Sequence, residues 1–191
     1  MDQQERKEFE KKLKEKIRGD VSFDEFIRGI YATDASVFQI TPVAVVLPRD
    51  EEDVKSAIDL AREYKVSILP RGGGTSLGGQ AAGPSLVIDF SKYMNSILEV
   101  NEQEKWARVQ PGIVLDELNA SLKEYGLHFA PDPATSSRAT VGGMIGNNSS
   151  GTKSIIYGIT RDHVLETRTL LYDGNVINFR ELSINGNGEG L

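Results

Sequence analysis

The stretch Pro70-Arg71-Gly72-Gly73-Gly74-Thr75-Ser76-Leu77-Gly78-Gly79 decides how this chain is read. It leaves the apolar run Val66-Ser67-Ile68-Leu69 and precedes another, Leu86-Val87-Ile88-Asp89-Phe90, so the glycines lie between two expected strands. Glycine has no Cβ, so its backbone turns through positive φ and lets a ligand come close. Successive N–H groups in such a turn converge into an anion-binding concavity. Thr75 and Ser76 add hydroxyl donors, and a diphosphate suits the set. Taken alone, the same run also describes a flexible surface loop. Two phosphate motifs are disfavoured. No Lys-Ser or Lys-Thr follows the glycines, as a Walker A loop requires, and Leu77 stands where G-x-G-x-x-G needs its third glycine.

Upstream, Val43–Leu47 reads as a fully apolar strand. Asp50 is a good helix N-cap with Asp53 in the first turn, and Val54, Ala57, Ile58 and Ala61 follow at helical spacing. Strand 66–69 then closes a short β-α-β unit whose carboxyl end carries the glycine loop, the place where ligand loops of α/β units sit. Residues 2–18 are rich in Lys and Glu, with Phe9, Leu13 and Ile17 spaced four apart. They predict a helix with one narrow apolar stripe, lying on the body or on a partner. Gly19-Asp20 ends it, and a second short helix is expected from Ser22 to Tyr31.

Downstream the pattern turns antiparallel. Residues 97–100 and 106–109 read as a hairpin, Pro111-Gly112 leads into an amphipathic helix with Val114, Leu115, Leu118 and Leu122, and Gly126 stops it. Strands 163–172 and 175–179 flank Asp173-Gly174, a strong hairpin signal. The tail Asn185–Gly190 is loop-like and stops abruptly.

A second polar, glycine-rich cluster runs from Pro131 to Gly151. Thr135, Ser136, Ser137 and Thr140 supply hydroxyls, Gly142-Gly143 is expected to open a short helix with free N–H groups toward an anion, and Asn147, Asn148 and Ser149 offer further donors and acceptors. Alone, this too reads as a polar loop with local caps. Together, the clusters offer one loop for phosphates and one wall for a large hydrogen-bonding cofactor.

Composition narrows the function. The 191 residues suit one domain or two small subdomains, and a formal net charge of −6 argues against nucleic acid. There is no cysteine, which removes disulfides, thiolate catalysis and thiolate metal sites, and only His128 and His163 supply imidazoles. No metal site is expected. No apolar stretch approaches the roughly 20 residues of a membrane span. The start Met-Asp-Gln-Gln-Glu-Arg-Lys is no signal peptide, so a cytoplasmic location is expected.

The Pro70–Gly79 loop, Pro131-Asp132-Pro133, Thr140-Val141-Gly142-Gly143 through Gly151, and Tyr157-Gly158-Ile159-Thr160-Arg161-Asp162 resemble the FAD-binding domain of FAD-linked oxidases of the vanillyl-alcohol oxidase type. The likeness is to the D-lactate, glycolate and D-2-hydroxyglutarate dehydrogenase-like branch, particularly its long members with a C-terminal iron–sulfur region. Tyr31–Ser36 with Val43–Pro48 is similar to that branch's entry. The resemblance implies an α+β fold of PCMH type in two subdomains: a small βαβ part holding the first loop, and a larger mixed or antiparallel part carrying the second cluster. It implies a helical extension over 1–36 and an FAD-binding domain over 37–191, incomplete at its C-terminus.

FAD's diphosphate is expected between the two parts. The positions matching the family's phosphate loop are Gly72, Gly73, Gly74, Thr75 and Ser76, with Arg71 and Gly79 beside them. Those matching its second wall are Asp132, Ser136, Thr140, Gly142, Gly143, Asn147 and Gly158. Arg71 could equally cap a strand end or pair with a carboxylate. Thr75 stands where some relatives carry an attachment histidine, so the FAD is expected to be noncovalent.

The implied reaction takes a hydride from a small 2-hydroxy acid. Its catalytic residues, its substrate-holding cap and an iron–sulfur domain are expected outside this chain. Arg161 and His163 are the tempting pair within it for a carboxylate cation and a hydroxyl base, against a plain reading as a surface arginine and a strand-start histidine. Two other readings are an enolpyruvyl-sugar reductase-like flavoprotein and a non-catalytic module binding a nucleotide or phosphorylated ligand.

Overall fold

A computed structural model describes residues 1–180. The tail over 185–190 lies outside them.

The first layer is built on the β-α-β unit. Strands β1 (Asp20–Ser22), β2 (Ala44–Leu47), β3 (Ile68–Arg71) and β4 (Leu86–Asp89) form one sheet in the order β1-β2-β4-β3. β4 is parallel to both β2 and β3 and lies between them. Its residues are all buried, so it reads as an unbroken apolar run rather than an alternating one. Helix α3 (Glu51–Glu63) crosses from β2 to β3 with Ala57, Ile58, Leu60 and Ala61 buried, capped by Asp50, whose carboxylate accepts from Asp53 N at 3.1 Å.

Helix α1 (Gln3–Lys16) carries the predicted stripe, but it is not a loose extension. Phe9, Leu13 and Ile17 are buried in the same core as Ala57, Leu60, Leu86 and Ile88. The expected helix from Ser22 is shorter and begins later. Residues 20–22 are an edge strand, Asp20, Val21 and Ser22 pairing antiparallel with Leu47, Val46 and Val45, and α2 runs only over Glu25–Ile30. Gly19 permits this, because a Cβ there would collide with the Leu47 carbonyl.

The second layer holds smaller elements. The 97–109 hairpin forms as β5 (Ile97–Asn101) and β6 (Trp106–Val109). Helix α4 (Leu115–Leu122) packs Leu118 and Leu122 against Ile113 and Val141, and Gly126 ends the segment in the left-handed region. Helix α5 (Val141–Asn147) follows, then a single turn α6 (Ser154–Tyr157). The last hairpin pairs β7 (Glu166–Leu170) with β8 (Val176–Arg180) around Asp173-Gly174. It starts later than expected because residues 160–163 form a 3-10 turn.

Candidate FAD-binding cleft

The two glycine-rich segments face one another across a cleft of about 830 Å³. Arg71 through Gly78 line one wall, and Thr140, Gly142, Gly143, Met144 and Gly146 through Ser150 line the other. The walls meet closely at their base. A Cβ on Gly72 would collide with Thr140 Oγ1, and one on Gly73 with the Arg138 carbonyl. Glycine is needed at both positions for the loop to seat against the second wall.

The first loop leaves β3 at the carboxyl end of the parallel sheet. Phe90 N donates to Arg71 O at 3.2 Å, and after that bond the ladder stops. Among the described residues, no backbone N–H from Gly72 to Leu77 donates to a protein acceptor. Gly74 has φ +63°, which turns the chain inside the loop. Glycine takes that conformation without steric cost. A run of unspent amides along a cleft wall is the donor set that holds an anion. Neighbouring hydroxyls and side-chain amides extend it: Gln80 Oε1 accepts from Ser76 Oγ and from Gly78 N at 3.1 Å, and Gln80 Nε2 donates to Asn147 Oδ1 at 3.3 Å.

The second wall behaves differently from its sequence. Helix α5 does open at Val141, with Thr140 as N-cap. Its first N–H groups are not free for an anion. Val141 N donates to Ile113 O at 2.9 Å, Gly142 N to Pro111 O at 2.8 Å and Gly143 N to Thr140 Oγ1 at 3.3 Å. The physical reason is packing: Thr140 bridges to Val114 as an isolated strand pair, and this draws the start of α5 onto the 111–114 segment. What this wall offers the cleft is glycine surface and the amide of Asn147.

Of the expected cofactor residues, Arg71, Gly72, Gly73, Gly74, Thr75, Ser76, Thr140, Gly142, Gly143 and Asn147 line the cleft. Gly79, Asp132, Ser136 and Gly158 lie off it. Gly79 has φ +80° and packs on the Phe38 ring, while Gly158 has φ +86° and packs on Asp162. Asp132 Oδ1 accepts from Lys153 N at 3.0 Å and Oδ2 from Thr152 Oγ1 at 3.3 Å, and the Ser136 carbonyl accepts from Asp116 N at 3.3 Å. Each holds a turn. Gln80 lines the cleft without having stood out in the sequence. The signal for Gln80 was its place directly after the last glycine of the first cluster.

Arg71 has its guanidinium committed. Nη1 donates to Ala81 O at 2.8 Å and Tyr31 O at 3.1 Å, and Nη2 to Thr33 O at 2.8 Å. It caps carbonyls rather than pairing with a carboxylate. Nearby, Tyr31 Oη donates to the buried Asp89 at 2.6 Å. Burial and that bond push the Tyr31 hydroxyl above its ordinary pKa. Desolvation raises the Asp34 carboxyl, but bonds from Ser36 and Ala81 and the Arg71 charge outweigh it and hold the group below its ordinary value.

The tempting pair of base and carboxylate cation is elsewhere. His163 Nε2 is 2.8 Å from Tyr157 O, and its ring stands edge-on to Phe129 at 5.6 Å. Arg161 Nε is 3.7 Å from Asp162 Oδ1 and lines a separate hollow with Ile145, Val164, Leu165 and Phe179. Neither faces the glycine cleft. Among the described residues there is no acidic or histidine cluster able to hold a metal ion, and no helix is long and apolar enough to cross a membrane.

Residues 42–180 match the FAD binding domain family over most of the chain. The chain belongs to that family. It is 49% identical over 161 residues to a D-2-hydroxyglutarate dehydrogenase of Pseudomonas putida, covering 83% of this chain and 16% of that protein. To a glycolate oxidase subunit of Bacillus subtilis it is 34% identical over 165 residues, 84% of this chain and 35% of that one. Among solved structures, alkyldihydroxyacetonephosphate synthase superposes with a TM-score of 0.83 at 29% identity, over 97% of this chain and 36% of that one. The chain spans about a sixth of the first relative's length. The expected fold of a FAD-binding oxidase is therefore the one observed: a small βαβ part and a larger part with antiparallel hairpins, the two glycine clusters meeting where they join.

FAD fits this cleft by its donor chemistry. The Gly72–Leu77 amides suit a diphosphate, and side chains would intrude where Gly72 and Gly73 abut the opposite wall. The volume falls within the range of about 300–1,000 Å³ usual for small-molecule sites.

Proposed function

We propose that this chain is the FAD-binding portion of a flavin-dependent dehydrogenase or oxidase that takes a hydride from a small 2-hydroxy acid, of the D-2-hydroxyglutarate, D-lactate or glycolate class. The observation that carries it is the row of unspent amides from Gly72 to Leu77 along a cleft closed by the second glycine cluster. The D-2-hydroxyglutarate dehydrogenase and glycolate oxidase relatives support the substrate class.

In this reading the Gly72–Ser76 backbone holds the diphosphate, the Thr75 hydroxyl adds a donor, and Asn147 orients the cofactor from the opposite wall. Bound FAD supplies acceptance of the hydride, while the protein supplies position and electrostatics. A base at the substrate hydroxyl and a cation at its carboxylate are also required. We place both, with the cap that holds substrate and an iron–sulfur region, in polypeptide outside this chain, and the site of action in the cytoplasm.

The test is titration of the purified chain with FAD, following quenching of flavin fluorescence, with ADP and riboflavin as competitors. Saturable FAD binding that ADP weakens is expected. Binding of ADP with equal affinity and no contribution from the flavin ring would favour a nucleotide-binding module instead. Absence of any binding would sink the reading.

A further inference from the structure

We propose that Arg71 is a positioning residue: together with Asp34 it fixes the shape of the Gly72–Ser76 loop by holding the two successive peptide groups that flank Ala81, and it does not itself contact the bound diphosphate. The proposal rests on the FAD reading above for its ligand, but its geometry stands independently.

Ala81 closes the glycine segment. Its carbonyl accepts from Arg71 Nη1 at 2.8 Å, and its N–H donates to Asp34 Oδ2 at 3.1 Å. A cation and an anion thus act on the two ends of one turn, at the C-terminal foot of the loop. Arg71 also ties the loop outward, through Nη1 to Tyr31 O and Nη2 to Thr33 O, with its guanidinium carbon 5.2 Å from the Tyr31 ring centroid. A third stitch joins the same segments, Ala35 N donating to Gly74 O at 3.1 Å.

Gly74 packs over the rest of the guanidinium. A Cβ there would stand 2.5 Å from Nη2 and 3.2 Å from Nε. The loop is therefore moulded around the arginine, with Gly74 at φ +63° taking the bend. Three carbonyl partners in a fixed fan suit a planar guanidinium and not an ammonium, which presents a compact charge on a flexible stem. Residues 31–35, half of this clamp, lie upstream of the 42–180 segment that matches the family. They form part of the site's support rather than a detachable extension.

The experiment compares Arg71→Lys and Asp34→Asn with the wild-type chain. Two quantities are read: the amide hydrogen exchange of Ala35 and Ala81, and the Kd for FAD. Positioning predicts at least tenfold faster exchange at those amides in both variants, with α3 and β4 still protected. It also predicts an FAD Kd raised at least tenfold in both, although Arg71→Lys keeps the positive charge and Asp34→Asn removes a negative one. Direct phosphate contact by Arg71 predicts the opposite pattern. Arg71→Lys would then keep most of the affinity, and Asp34→Asn would leave it unchanged or improve it; either result overturns the proposal, as does unchanged exchange. Should Arg71→Lys fail to fold, Asp34→Asn carries the same test alone. A wild-type chain that binds no FAD would strike the functional reading, and the exchange measurement would still decide the clamp.

Discussion

Gln80 Nε2 donates to Asn147 Oδ1 at 3.3 Å, and by that bond one side chain spans from the first glycine cluster to the second. Its other end accepts from Ser76 Oγ and Gly78 N. The strap therefore consumes groups that a cofactor would use. Competition of this kind involves exposed hydrogen bonds, each with a net contribution of about 0.5–1.5 kcal/mol. Gln80→Ala is expected to raise FAD affinity about two- to fivefold and to lower the melting temperature of the ligand-free chain slightly. Fluorescence titration and thermal denaturation read the two effects, and a loss of affinity in Gln80→Ala would mean that Gln80 binds the cofactor instead of competing with it.

Gly74→Asp combines three injuries at one point. It places a side chain at φ +63°, against Arg71 Nη2, and it adds a negative charge beside the unspent amides. FAD affinity should fall at least tenfold, about 1.4 kcal/mol, with the circular dichroism of the fold retained. Wild-type affinity in a folded Gly74→Asp chain would reduce the segment to a surface loop.

The sheet was legible in the sequence because its strands are short, apolar and bounded by strong punctuation: Asp50 before α3, and the glycine run after β3. β1 was not, since Asp20-Val21-Ser22 carries no apolar run and forms only because Gly19 lets the chain lie against Leu47. In the cleft, glycine spacing marked the loop that lines one wall, whereas the spent amides of α5 depend on where Ile113 and Pro111 come to rest. That placement is tertiary. Asp132 and Gly158 have the residue types of a binding wall, yet Asp132 is spent on the 152–153 segment and Gly158 on a local turn with Asp162.

Asp53 shows the same gap between type and role, and it yields a stability prediction. Its carboxylate is 1% exposed and accepts from Arg18 N, Gly19 N and Arg49 N, each at 2.9 Å. It thus ties the end of α1 to the start of α3. Asp53→Ala leaves those donors without an acceptor, at a cost of about 2–4 kcal/mol by the usual penalty for stranded partners of a charged group. Urea denaturation should show a lower midpoint with an unchanged slope. A loss under about 0.5 kcal/mol, the range of neutral surface changes, would mean that water replaces the carboxylate.

Residue chemistry bears on how the flavin is attached. The cleft offers no cysteine or histidine among its lining residues; Thr75 faces it where the family resemblance implies an attachment histidine in some relatives. FAD should be held noncovalently. Acid precipitation of the loaded chain is expected to release all the yellow colour into the supernatant, and colour remaining with the pellet would contradict it.

Turnover asks more of a site than binding does. Oxidation of a 2-hydroxy acid needs a base within hydrogen-bond reach of the hydroxyl and a cation on the carboxylate. His163 is engaged with the Tyr157 carbonyl and Arg161 lines a different hollow, so neither reaches the glycine cleft. Positioning of reactants accounts for about 7–11 kcal/mol of barrier lowering in well-oriented systems, and a cleft with no histidine or carboxylate base among its lining residues and with Arg71 committed to backbone carbonyls forgoes that part of it. We therefore expect the FAD-loaded chain, mixed anaerobically with D-2-hydroxyglutarate, D-lactate or glycolate, to keep its oxidised flavin spectrum. Bleaching at an enzyme-like rate would show that the chain carries its own base. In that event, loss of bleaching in His163→Gln would identify the base and loss in Arg161→Gln the carboxylate cation, and either would require the 160–163 turn to swing toward the cleft.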